Sequence, residues 1–246
     1  MRSTLDDEIP ADWKEANAVA ESVDIPCIPL APHLSISYTD DVYEPAEDTF
    51  LLIDAVCYDL SQQRNGNDKQ VRVCLEIGCG SGVVLEAICR HQCQQDPTSP
   101  PMVPLTTDRN PRALHIAQHT LGIKGCGVQC DLASAIRSQS VDLMVFNPPY
   151  VPTPDEEVED PAAWAWAGGT HGRRVVDRWM AQDLARVLKR PYGVAYIITV
   201  DENRPHAMAE SSVLEQHGMV MRPIARRRAK NEYLSVQKIT YVPPDE

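Results

Sequence analysis

The sequence predicts an α/β domain built on a mainly parallel sheet, and three observations carry that expectation. The stretch VRVCLEIGCGSGVVLEAICR passes from a β-branched apolar segment through glycines into apolar residues at helical spacing, which reads as strand, Gly-rich turn, helix. Downstream, strand-like and helix-like segments keep alternating, the pattern of strands paired in parallel through helical crossovers. Two strand-like segments then follow one another directly and imply one antiparallel pair.

In chain order, residues 1–42 are polar and proline-punctuated and read as an N-terminal extension with a short helix near Ala11–Val23. Residues 43–246 read as a single domain. Pro45 and the carboxylates of Glu47 and Asp48 mark a helix start, because acidic side chains suit the positive end of the helix dipole. Residues 61–70 form a polar loop. A strand over Val71–Ile77 and a helix from Val83 flank the glycines. A proline-rich loop leads to a second strand over Met102–Thr107 that ends at Asp108. Pro111 opens a helix to about Leu121. Short strands follow over Gly127–Cys130 and Val141–Phe146, and residues 151–174 read as irregular. A helix over about Val175–Leu188, a strand over Gly193–Val200 and a helix over 206–217 come next. Met219–Arg228 and Glu232–Tyr241 are the final strands, joined by a turn near Lys230-Asn231.

Composition narrows the function classes. At 246 residues the chain can bury a sizeable core. A net charge of −12 counts against unaided binding to a nucleic-acid backbone, whose phosphates need Lys and Arg. The run Arg226-Arg227-Arg228 is short enough to be a solvated strand edge. Eight cysteines form no CxxC pair and read as buried reduced thiols, with no metal site. His115 and His119 share a helix face at a spacing zinc could use, yet no third ligand is in view. The acidic N-terminus lacks the apolar core of a signal peptide, and no apolar stretch approaches the ~20 residues of a membrane span. The chain reads as cytoplasmic, with a nuclear pool also open to it, and with no membrane partner.

The glycine turn is Glu76-Ile77-Gly78-Cys79-Gly80-Ser81-Gly82, at the end of a strand where doubly wound sheets bind ligands. Its spacing is GxGxG, not the GxGxxG of dinucleotide binders. Glu76 would repel a pyrophosphate and would suit a cation, such as the sulfonium and amino group of S-adenosylmethionine. Asp108, at the tip of the second strand, is placed to accept the ribose hydroxyls of an adenosine. A tight turn that merely uses glycine's freedom would read the same way from these glycines alone.

After the fourth strand comes Asn147-Pro148-Pro149-Tyr150. A planar NH₂ group is a poor nucleophile, and it accepts a methyl group only when its lone pair is held in line with the methyl donor. Two acceptors side by side can hold its two protons: the Asn147 carboxamide oxygen and the Pro148 carbonyl. Proline's fixed φ and missing N–H keep that backbone rigid, and Tyr150 offers a flat face. The plain alternative is a turn that ends a strand.

Four segments together resemble a known family. TyrGluProAlaGluAspThr at 43–49, LeuGluIleGlyCysGlySerGly at 75–82, ThrAspArgAsnPro at 107–111 and AsnProProTyrValProThr at 147–153 are similar to the HemK-type glutamine methyltransferases. The opening YEPAEDTF and the VPT after the tyrosine resemble the eukaryotic branch, which methylates the glutamine nitrogen in the Gly-Gly-Gln loop of the class I release factor. The resemblance implies a seven-stranded class I S-adenosylmethionine-dependent methyltransferase fold, Rossmann-like, with the last strand antiparallel. It also implies that Thr49, Glu76, Gly78, Gly80, Asp108, Asp131, Leu132 and Asn147 contact S-adenosyl-L-methionine, with Asp131 at the adenine amino group. Asn147, Pro148 and Tyr150 would orient the glutamine amide. A small zinc-binding activator subunit is the implied partner. Arg109 departs from the small apolar residue of many relatives, and Cys79 sits between the motif glycines. AlaTrpAlaGlyGly at 165–169, with Gly172 and Arg173, resembles the family's loop after the catalytic motif; folding over the substrate and a plain structural loop both fit.

Three rivals follow from the same residues. A DNA or RNA adenine methyltransferase also needs a planar NH₂ held by two acceptors, but it carries a basic target-binding region and flips the base. A lysine methyltransferase needs room for an ammonium. A non-catalytic cofactor-binding scaffold would have no use for an intact Asn147.

Overall fold

The computed structural model describes residues 9–31, 42–63, 71–122 and 125–243. The polar loop expected over 61–70 lies outside these from residue 64 onward, and residues 61–63 close a helix instead. The elements run α1 (Ala11–Ser22), α2 (Glu47–Gln63), β1 (Val73–Ile77), α3 (Val83–Gln95), β2 (Val103–Asp108), α4 (Pro111–Leu121), β3 (Cys126–Gln129) and β4 (Leu143–Phe146). They continue with α5 (Arg174–Trp179), α6 (Ala185–Val187), β5 (Val194–Val200), α7 (Pro205–Ala209), α8 (Ser212–Gln216), β6 (Met219–Ala229) and β7 (Glu232–Tyr241).

One seven-stranded sheet takes the order β3-β2-β1-β4-β5-β7-β6. β1 to β5 pair in parallel, and β7 runs antiparallel to both of its neighbours, as expected of the final strand pair. Both faces of the sheet are buried, and the strand pleat sends alternate residues to each. On β4, Leu143 and Val145 pack with α2 and α3, while Met144 and Phe146 pack on the opposite side with Val176, Trp179 and Leu184. β5 divides the same way, Tyr196 and Ile198 to one face and Ala195 and Ile197 to the other. Pro223 is tolerated in β6 because that strand is a sheet edge and bulges between Pro223 and Ala225.

Three departures from the expected elements have local causes. α5 and α6 are one continuous segment interrupted by a π-helical turn over Met180–Leu184, and this turn carries the buried carboxylate of Asp183 to the Ala133 N–H. The helix expected over 206–217 is two short ones. Ser211 turns to an extended backbone (φ −66°, ψ 138°), and its carbonyl starts α8 by accepting from Leu214 N–H. The cysteines are not uniformly buried: Cys57, Cys74 and Cys79 are, whereas Cys27, Cys93 and Cys126 are exposed.

The basic run is not a solvated edge at its first two positions. Arg226 is held by both oxygens of Asp201 and lies 4.2 Å over the Tyr233 ring, and Arg227 reaches Asp54. Within the segment before residue 43, α1 packs on β6 with Trp13 and Ala20 buried. His115 and His119 meet ring to ring at the surface, Nε2 to Nε2 at 3.2 Å. Among the described residues no helix is long and apolar enough to cross a membrane.

Candidate active site

The sheet order reverses between β1 and β4, so the chain leaves their carboxyl ends in diverging directions and a crevice opens there. A cleft of 980 Å³ occupies it. Thr49, Glu76, Gly78, Gly80, Asp108, Asp131, Leu132, Asn147, Pro148 and Tyr150, the residues singled out in the sequence, all line this one cleft.

Its first end is a cradle around two carboxyl groups. Gly78, Gly80 and Gly82 all hold positive φ (59°, 49° and 75°), which lets the chain turn sharply from β1 into α3. Gly82 also admits α4: a Cβ there would stand 2.8 Å from the Ala117 Cβ. Glu76 is 5% exposed, and its Oε2 accepts from the Leu85 N–H in the first turn of α3. Burial pushes its pKa up to about 8; the Leu85 hydrogen bond opposes this, and the nearby charge of Asp108 adds to it. Asp108 accepts from Gly80 N–H at 3.1 Å and Asn110 N–H at 2.8 Å. Its pKa is also raised by burial, against those backbone hydrogen bonds. Asn110 caps α4 by accepting from Arg112 N–H, and Pro111 follows at the first turn.

A buried and a part-buried acid with no ion-pair partner among the described residues, beside a glycine turn, suit a ligand that brings positive charge and ribose hydroxyls. S-adenosylmethionine fits that donor set. Leu132, expected to touch this cofactor, holds φ +51°, a strained position for a branched side chain and one concentrated at functional sites. Asp131 lies on the wall, but both of its oxygens already bond Arg178, at 2.5 and 3.1 Å. The Thr49 hydroxyl is likewise engaged, donating to Asp48 and accepting from Ala46 N–H.

At the other end, Asn147 donates from Nδ2 to Asp48 Oδ2 at 3.0 Å, while its Oδ1 is buried and takes no hydrogen bond. The Tyr150 hydroxyl donates to the same carboxylate oxygen. The Tyr150 carbonyl is fixed from behind by Asn203, whose Nδ2 also reaches the carbonyl of His171. A buried, unpartnered acceptor at the cleft wall asks for a donor from outside the chain. A planar NH₂ supplies one.

The segment after the motif is more ordered than its composition suggests. Val151 and Ala167 form a bridge, Gly168 N–H donates to Val151, and Thr153 N–H donates to Gly169. This closes a loop whose Val158, Trp164 and Trp166 line the cleft. Gly172 makes the closure possible: a Cβ there would lie 1.9 Å from the Tyr150 carbonyl oxygen. Arg109, the departure noted in the sequence, spans to this loop, 4.2 Å over the Trp164 ring and 3.7 Å from Glu159.

Asp48, Asn203, Trp164 and Arg178 were missed as site residues in the sequence. Asp48 was visible as a helix-start carboxylate and as part of the 43–49 segment, but not as a site residue, since its partner Asn147 lies 99 residues away. Asn203 follows a strand end, a position that could have been flagged on topology alone.

No family model matches the chain. Among known proteins it is similar to human methyltransferase HEMK2, with 35% identity over 219 residues, 86% of this chain and 95% of that protein. It is also similar to the fission yeast eRF1 methyltransferase catalytic subunit mtq2, at 34% identity over 224 residues and 94% of that protein. A solved structure of the E. cuniculi Mtq2–Trm112 complex, which methylates the eRF1 translation termination factor, contains a chain that superposes with a TM-score of 0.59 and 31% identity, covering 82% of this chain and 99% of that one. A ribosomal protein L11 methylase from Lactobacillus delbrueckii shares the fold alone (TM-score 0.50, 12% identity). With relatives at 34–35% identity matched over nearly their whole length, the chain belongs to the HEMK2/Mtq2 family of methyltransferases.

Proposed function

We propose that this chain is the catalytic subunit that methylates the side-chain nitrogen of the Gly-Gly-Gln glutamine in the class I release factor, working as a heterodimer with a small zinc-binding activator. The observation that carries the reading is the buried, unpartnered Oδ1 of Asn147 at the cleft wall. The relatives support the rest: the fission yeast protein is named for eRF1, and the E. cuniculi relative was solved with Trm112. A substrate of this kind would put the enzyme in the cytoplasm, where translation ends.

S-adenosylmethionine supplies the electrophilic methyl group when bound. Glu76 and Asp108 would hold its positive and ribose ends. Asn147 Oδ1 and the Pro148 carbonyl would each accept one N–H of the glutamine amide, and Tyr150 would bound the slot. Holding both protons fixes the nitrogen and lowers the barrier by orientation and by favouring the positive charge that develops on it. Neither acceptor is a strong base, so the proton leaves after transfer.

The experiment is transfer of labelled methyl to recombinant release factor, with and without the co-expressed activator, and with DNA as the alternative acceptor. Label is expected on the wild-type factor and absent when the Gly-Gly-Gln glutamine is changed to alanine. Undiminished label on that altered factor, or preferential label on DNA, would overturn the reading.

A further inference from the structure

We infer that Asp48 is a positioning residue that decides which end of the Asn147 carboxamide faces the substrate. The inference rests on the amide-acceptor reading of the site given above. Asp48 is 3% exposed and gathers donors from two segments, 43–49 and 147–150. Its Oδ2 accepts from Asn147 Nδ2 at 3.0 Å, from the Tyr43 hydroxyl at 2.9 Å and from the Tyr150 hydroxyl at 3.3 Å. Its Oδ1 accepts from the Thr49 N–H at 2.6 Å and the Thr49 hydroxyl at 3.2 Å. Burial, with the charge of Asp48 beside them, moves the titration of both tyrosines well upward, so they stay protonated as donors.

A carboxamide can be turned over without changing its shape, and nothing in Asn147 alone prefers one orientation. A carboxylate has no proton to give. Only the NH₂ end of Asn147 can therefore face Asp48, and the oxygen is driven to the cleft wall, where it stands unpartnered. Donation to a charged acceptor also polarises the amide and leaves Oδ1 a better acceptor for an N–H gaining positive charge. Asp48 thus acts on the substrate through Asn147.

The Thr49 contact makes the effect of one substitution unambiguous. The backbone N–H at 2.6 Å requires an oxygen at Oδ1, so Asp48→Asn must turn its own NH₂ toward Asn147. Asn147 then has to flip and present a donor to the substrate's donor. Combining Asp48→Asn with Asn147→Asp restores an acceptor on both sides: residue 147 takes the N–H from position 48 and keeps one oxygen toward the cleft.

The test uses the heterodimer, S-adenosylmethionine and recombinant release factor. Asp48→Asn is expected to lower kcat at least 100-fold while the KM for the cofactor stays within threefold, and the exchanged pair should regain at least tenfold over Asp48→Asn. A kcat for Asp48→Asn within threefold of wild type, or an exchanged pair no better than the single variant, would overturn the inference. A second readout is independent of substrate: the side-chain amide of Asn147, assigned in a nitrogen-edited NMR spectrum by its loss in Asn147→Ala. Its protons should exchange slowly in the wild type and rapidly in Asp48→Asn. Solvent-rate exchange in the wild type would sink Asp48's role. Slow exchange in an enzyme that leaves the release factor unmethylated would sink the substrate reading instead.

Discussion

The guanidinium of Arg109 lies 4.2 Å over the indole of Trp164, joining the tip of β2 to the loop that walls the cleft. The same arginine stands 3.9 Å from Asp131, so the contact borders the cleft wall on which Asp131 lies. Replacing Arg109 with alanine frees the loop from the strand tip. Cofactor affinity measured by calorimetry is expected to fall roughly fivefold, equivalent to about 1 kcal/mol for a partly exposed cation–π contact. Arg109→Lys should recover part of the loss.

Glu76 gives the cofactor site a pH dependence. Burial raises its pKa to about 8, so in the free cleft the group is protonated below that value. A cationic ligand favours the carboxylate, and binding must expel the proton. Affinity is expected to rise with pH from 6 toward 8 at up to tenfold per unit, then level off, with proton release visible as a buffer-dependent binding enthalpy. Glu76→Gln should bind weakly and show no such rise. The linkage to stability has the opposite slope. With the folded pKa above the ordinary 4.5, this group's contribution is full below about 4.5 and is lost as pH rises through about 8. The cofactor-free protein should melt lower at pH 8 than at pH 6, and Glu76→Gln should reduce the difference.

Gly172→Ala places a methyl group 1.9 Å from the Tyr150 carbonyl oxygen, at a backbone φ of +65°. The motif backbone must move to accept it. The expected cost is roughly 2–4 kcal/mol of stability. Methyl transfer should fall at least 100-fold, while cofactor affinity, carried mainly by Glu76 of β1 and Asp108 of β2, falls by no more than the roughly fivefold expected of a freed loop.

Asn203→Ala removes the donor that fixes the carbonyls of Tyr150 and His171. Those part-buried acceptors lose their partner at about 1–3 kcal/mol, and Tm is expected to drop by roughly 5–10 °C. Asn203→Asp should do worse than alanine, since a carboxylate would face carbonyl oxygens.

Trp13 tests whether the segment before residue 43 belongs to the folding unit. It is 3% exposed, on a helix packed against β6. Trp13→Ala should cost about 3–5 kcal/mol, as expected for a core indole, and lower the single melting transition. A melting profile unchanged from wild type would mean that α1 is dispensable.

The fold was legible because its elements announce themselves locally. Pro111 and Leu121 bound α4 as read, and the glycines after Ile77 mark the turn between β1 and α3. The position of β7 between β5 and β6 was not legible from periodicity, since two adjacent strands in sequence only require a hairpin. The site divided in the same manner. Glu76, Asp108 and Asn147 each lie at or next to the carboxyl end of a strand, and strand ends at the reversal of sheet order converge on one crevice whatever the loops do. Asp48 was hidden because its meaning is a contact with residue 147, and Arg178 because it depends on a helix folding back to Asp131. The π-helical turn over Met180–Leu184 left no periodic trace, since it adds a single residue to an otherwise helical register.

The inserted strand sets an order of assembly. β5 has two partners, and the one on its outer side is β7, which comes after β6 in the chain. Until residues 232–241 are available, β5 presents an open, apolar edge, and β6 has no neighbour in the sheet. Asp201, which follows β5 immediately, finds its partner Arg226 only when β6 is in place beside β7. Completion of the sheet is therefore tied to the last strand, which also brings the carboxylate of Glu232 within electrostatic reach of Asp48 and Tyr150. A nascent chain halted before β7 would be prone to pair with another copy along β5, a hazard of exposed strand edges.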